Sequence, residues 1–196
     1  MGIIKNQNQG NVNYDHSKAS LDAKVKAGNF RELHSDECDK LFEGGKIPSL
    51  KGYSVCSLEP ESDGEYSYEV PFFTIQLFRY GKDFHGMDCS HAILSGMVGT
   101  GVNLIGANFE GSELGEASFR HANLRCANFR GADLTKVDFF GADLRGADFR
   151  GACFQDTEIL DAFVEGADFR GATFDMAVDN PFYTAPLGLK DGIVNK

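Results

Sequence analysis

No apolar run in this 196-residue chain approaches the length of a membrane-spanning helix, about 20 residues. The opening Met1-Gly-Ile-Ile-Lys-Asn-Gln-Asn-Gln lacks an apolar core of signal-peptide length. Gly2 is followed by Asn6 where a myristoylation signal needs Ser or Thr. Cysteine is sparse: the five are odd in number, scattered, and include no C-x-x-C pair. That excludes a disulfide framework and points to a reducing compartment. No membrane partner and a cytoplasmic location are therefore expected. Basic residues are outnumbered by acidic ones, 19 to 29, for a formal net charge of −10. Residues 1–81 hold 9 basic and 12 acidic residues, 82–176 hold 8 and 15, and 177–196 are neutral. The central stretch lacks the basic footprint of a protein that binds nucleic acid directly. Its acidity suits a basic protein partner, or solubility alone.

What the chain does have is a period of five. It reads Val102-Asn-Leu-Ile-Gly, Ala107-Asn-Phe-Glu-Gly, Ser112-Glu-Leu-Gly-Glu, and continues in one register through Ala172-Thr-Phe-Asp-Met. Every fifth residue from Leu104 to Phe174 is large and apolar, and two places before each sits a small residue, usually Ala. Five residues advance an α-helix by about 500°, so successive apolar residues would step by roughly 140° and never make one face. In a flat strand an odd spacing sends them to opposite sides. The remaining solution turns the chain once per repeat, so that each large residue points back to a common axis. Ala107 and Phe109 then share the inner side, and Asn108 and Glu110 lie outside. Gly106, Gly111, Gly131 and Gly141 fall at corners, where a left-handed backbone suits glycine.

These residues resemble the pentapeptide-repeat family, with its A-(D/N)-L-x-x pattern, over about half the chain. The resemblance implies a mainly β fold: a right-handed quadrilateral β-helix, four repeats per coil. Residues twenty apart then stack. One inward column becomes Cys89, Phe109, Phe129, Phe149 and Phe169; another becomes Gly99, Phe119, Phe139 and Ile159. At about 4.8 Å per coil, 82–176 makes a rod roughly 23 Å long. Gly99 in an inward slot predicts a bulge or a shallow dent in the first coil.

The flanks read differently. Residues 1–16 are polar and expected to be mobile. A short helix is expected from Ser17 to Gly28, and a second over 36–43 behind the N-cap Ser35. Gly52 to Leu58, Tyr66 to Val70 and Phe72 to Tyr80 read as strands. Residues 1–81 are thus a small α+β region, either a cap on the open end of the helix or a separate binding or enzymatic domain. Residues 177–196 read as a loop over the other end, with Phe182, Tyr183 and Leu187 able to plug the last coil.

No catalytic constellation emerges, and no cofactor or metal is expected. His85, Cys89 and His91 cluster in sequence, but the register turns Cys89 inward and the histidines outward or to corners. Cys153 is outward where Asp or Asn is usual, either a reactive thiol or a neutral substitution. The i−1 aspartates belong to the repeat and are expected to point to solvent. Arg130, Arg150 and Arg170 form one outward column with Asp148 and Asp168 beside them, either a charge ladder or a site for an acidic partner. Phe140, Leu160 and Phe163 are outward where polar residues are usual. They form a candidate contact patch for a homodimer or another protein, unless a terminal segment covers it. The expected function is a non-enzymatic scaffold for an unidentified protein partner. The alternative, from a subgroup of the resembled family, is a DNA mimic that regulates DNA gyrase.

Overall fold

The computed structural model describes residues 83–174, together with 31–32, 40, 47 and 49–54. Over 83–174 the chain winds in coils of twenty residues, one residue in every five bridging in parallel to its counterpart twenty later. Four ladders result. The first runs through Asp83, Asn103, Asn123, Asp143 and Phe163, and the second through Asp88, Asn108, Asn128, Asp148 and Asp168. The third runs through Ile93, Glu113, Asp133 and Cys153, and the fourth through Val98, Ser118, Asp138 and Glu158. At the far end Cys153–Phe154 and Thr173–Phe174 pair as two-residue strands.

Each repeat is a short bridge plus a β-turn. The N–H of Met87 donates to the carbonyl of Phe84 at 3.1 Å across a turn whose third residue, Gly86, has φ +68°. The same left-handed corner recurs at each repeat, and His91, Glu116, His121, Cys126, Lys136, Asp156 and Asp161 adopt it without being glycine. The expected corners are therefore set by the turn, and glycine is its cheapest occupant.

The inward columns fill the rod. Phe129 lies between Phe109 and Phe149, each ring centroid 4.9 Å away and nearly parallel. Phe119 stacks on Phe139 at 5.6 Å in the fourth ladder, and rings of the opposite second and fourth ladders meet edge to face across the interior. Both geometries suit aromatic quadrupoles. Ala107, Ala127 and Ala147 are fully buried beneath the rings. Where the small position is polar, its hydroxyl is bonded: Ser112 Oγ donates to the Phe109 carbonyl at 2.8 Å, and Thr157 Oγ1 to that of Leu134 at 2.7 Å.

Gly99 produces neither bulge nor dent. Its N–H donates to Ser118 at 2.7 Å in unbroken register, and Val98 bridges Ser118. The Phe119 ring takes the room: a Cβ on Gly99 would stand 3.0 Å from it.

The ladders continue beyond the repeats. Leu50 is fully buried and donates to the Asp88 carbonyl at 2.7 Å; Gly52 donates to Ser90 at 3.1 Å. Tyr53 closes the turn onto Leu50 at 2.9 Å, and Ile93 donates to Tyr53 at 2.9 Å. Leu50 therefore sits in the column of Cys89 and Phe109. Tyr53–Ser54 pairs in turn with Arg31–Glu32 in parallel, Arg31 against Tyr53 and Glu32 against Ser54. Of the strand expected over 52–58, residues 53–54 are described as a strand and 55–58 lie outside the described residues. The expected strands at 66–70 and 72–80, the helix at 17–28 and the tail 177–196 also lie outside them, as does the helix at 36–43 apart from Lys40.

Candidate functional site

The i−1 side chains do not simply face solvent, as the repeat pattern had suggested. The carboxylate or amide folds back to accept the N–H two residues on. Asp138 Oδ1 accepts from Phe140 at 2.9 Å, Asp148 Oδ1 from Arg150 at 3.1 Å and Asn128 Oδ1 from Arg130 at 3.1 Å. A short acceptor one residue before each inward side chain satisfies a backbone donor that the turn leaves open. These positions are half-buried.

That geometry aligns the arginines. Arg150 reaches its own Asp148 through Nε at 2.8 Å and Nη2 at 2.5 Å, and Asp168 on the next coil through Nε at 3.6 Å. Arg170 grips Asp168 in the same way, Nη2 at 2.6 Å. Arg145 grips Asp143 on the first ladder. The arginine hydrogen bonds hold Asp143 and Asp148 below the ordinary carboxylate range, and Arg170 draws Asp168 down to about 2. Arg130 stands apart, because its repeat carries Asn128; it is exposed and makes no ion pair among the described residues. Asn128 instead donates to Asn108 at 2.9 Å and Glu110 at 3.2 Å.

The outward apolar residues divide between two faces. Phe140 and Leu160 are half-buried neighbours on the fourth ladder. The Arg120 guanidinium lies over the Phe140 ring at 4.4 Å, fixed by Asp138 at 2.7 Å, and the His121 ring meets Phe140 edge-on at 5.5 Å. Phe163 belongs to the first ladder and is 53% exposed, with Arg145 above its ring at 5.8 Å. Ile105, 39% exposed, shares that face and was missed by the sequence reading. The signal was there: the equivalent places hold His85, Arg125, Arg145 and Glu165.

The third ladder is not open surface. Ile93 is fully buried and Asp133 is 2% exposed, though both lie outside the inward columns. Asp133 Oδ1 accepts from the Thr135 N–H at 3.0 Å and its hydroxyl at 2.6 Å.

Cys89 points into the core, where burial pushes its thiol far above the ordinary value, while His85 and His91 are exposed. Cys126 and Cys153 are free thiols, the latter half-buried between Asp133 and Thr173. Among the described residues no group of three or more His, Cys, Asp or Glu is placed to hold a metal ion. None of their helices is long and apolar enough to cross a membrane.

The family model described as pentapeptide repeats matches residues 83–115, 103–140 and 112–151, with eight copies. No curated protein matches the chain. Among solved structures, the pentapeptide repeat protein Rfr23 of the cyanobacterium Cyanothece 51142 is 18% identical, with a TM-score of 0.44 over 72% of this chain and 100% of its own. A pentapeptide repeat protein of the Arabidopsis thaliana thylakoid lumen is 30% identical, with a TM-score of 0.26 over 47% and 61%. HetL, a pentapeptide repeat protein involved in heterocyst differentiation regulation in Nostoc sp. strain PCC 7120, is 18% identical, with a TM-score of 0.24 over 65% and 68%. The matched repeats and the unbroken register of bridges twenty residues apart agree: residues 83–151 of this chain are pentapeptide repeats.

Proposed function

We propose that the protein is a non-enzymatic scaffold in a reducing, cytoplasmic setting. In this reading a right-handed, four-sided β-helix offers its faces to another protein. The observation that carries it is the solid interior. Two inward columns stack ring on ring and the other two are mostly buried leucines, so anything recognised must be met on the outside. The backbone of each face is tied to the coils on either side, which keeps the faces rigid and lowers the ordering cost of binding. Phe140, Leu160 and Phe163 supply apolar contact, and paired charges surround them.

Affinity capture from nuclease-treated lysate tests this, comparing wild type with Phe140→Glu plus Phe163→Glu. A protein retained by the wild type and lost by the variant is expected. Equal retention by both would remove these residues from the site, and a substrate screen on the full chain that found turnover would overturn the non-enzymatic reading.

A DNA-mimic reading draws on one observation, the excess of acidic side chains: the fourth face carries Asp138, Glu158 and Asp161 against Arg120. The second face weighs against it, because Arg150 and Arg170 neutralise Asp148 and Asp168 in place. A gyrase supercoiling assay with added protein separates the two, since only the mimic alters supercoiling.

A further inference from the structure

Resting on the scaffold reading, we propose that the first-ladder face binds an extended acidic peptide of a partner protein. Its pattern is apolar-x-acidic-x-apolar, laid along the rod axis over Ile105, Arg125 and Phe163. Of the large apolar residues that the described rod exposes, both lie on this face: Ile105 at 39% and Phe163 at 53%. Between them stands Arg125, exposed and without an ion pair among the described residues; it attracts Asp143 only at longer range, and Asp143 is engaged by the neighbouring Arg145. An exposed guanidinium with no carboxylate in contact, between two apolar residues, calls for a carboxylate flanked by apolar side chains.

The spacing selects the conformation. The bridges Asn103–Asn123, Asn123–Asp143 and Asp143–Phe163 put Phe163 three coils from Asn103 along the axis, with Ile105 two residues to the side of that column. At about 4.8 Å per coil that is roughly 14 Å. In an extended strand, residues i, i+2 and i+4 share one side and span about 13 Å. An α-helix, rising about 1.5 Å per residue, covers this distance in about nine residues, which puts its two ends on opposite sides. The third face, where Ile93 and Asp133 are buried, is not open to such a peptide.

The test selects a random linear peptide library, displayed on phage, against the immobilised full chain. Enriched peptides are then titrated by fluorescence polarisation against wild type, Arg125→Glu, Ile105→Asn and, on the second face, Arg130→Glu. All three residues are exposed, and thermal melts verify that the variants fold. Enrichment of the stated pattern is expected, with affinity falling about tenfold or more in Arg125→Glu, falling in Ile105→Asn and holding in Arg130→Glu. Enriched peptides that ignore Arg125 and Ile105 but require Arg130 would overturn this site and leave the scaffold reading intact. No enrichment, together with no protein captured from lysate by wild type, would overturn both. A dimer of the chain in sedimentation that Arg125→Glu dissociates would give the face to a second copy and overturn the peptide.

Discussion

Gly141 and Gly131 occupy the same corner of the repeat, with φ +65° and +62°, yet their surroundings differ. A Cβ on Gly131 would meet nothing within 4 Å, whereas one on Gly141 would stand 2.5 Å from His121 Nδ1. Gly131→Ala should cost only the left-handed backbone, about 1–2 kcal/mol. Gly141→Ala should cost more, and His121→Ala should return it to the Gly131→Ala level. Chemical denaturation of the four variants measures this, and equal losses at both glycines would mean that the His121 ring moves aside freely. Asp168 is the second residue with a calculable effect. Its value in the folded protein, about 2, lies below the ordinary 3.8, because Arg170 donates to the ionised form. The pair's stabilisation is therefore complete above about pH 4 and is lost as pH falls toward 2. The melting temperature should drop across that range, and less steeply in Asp168→Asn. Parallel curves would remove Asp168 from the acid response.

At the scale of the element, the repeat is stable because three positions act together. The inward ring stacks on its counterparts, the residue two before it is small enough to lie beneath, and the residue between them bonds the turn. The first two were legible in the sequence, since a period of five with Ala two places before Phe allows little else. The third was not, because an Asp between two inward residues looks like any solvated carboxylate until the turn brings the N–H of Arg150 or Phe140 back to it. Gly99 misled for a related reason: an inward glycine suggests a gap, but the ring of Phe119 one coil on fills it. Ala147 tests the second position. It is fully buried in the ladder where Phe129 and Phe149 stack at 4.9 Å. Ala147→Leu should destabilise by about 1–3 kcal/mol through overpacking. An unchanged melting temperature would mean that the column can open without cost.

At the scale of the molecule, the ladders do not stop where the repeat pattern stops. The sequence gives no hint of this, because Ser49-Leu-Lys-Gly-Tyr-Ser54 shares no A-(D/N)-L-x-x spelling and Leu50 precedes Cys89 by 39 residues, where stacked residues of the repeat are 20 apart. What it shares is physical: a buried Leu, a glycine at φ +69° two places later, and a turn closed from Tyr53 to Leu50. Those three features are enough to place a rung against Asp88 and Ser90. Contact between residues so far apart in sequence makes 49–54 part of the same cooperative unit as the rod, as expected of a solenoid whose coils stabilise their neighbours. Leu50 then has two distinguishable roles. If it belongs to a region that folds by itself, Leu50→Ala should leave the amides of Phe109 and Leu114 as protected from hydrogen exchange as before. If it is a core residue of the rod, the change should cost about 2–5 kcal/mol. The amides of Cys89 and His91, one coil away, should then lose protection first, followed by those of Phe109. We expect the second pattern, because Leu50 is fully buried in the column that Cys89 and Phe109 continue.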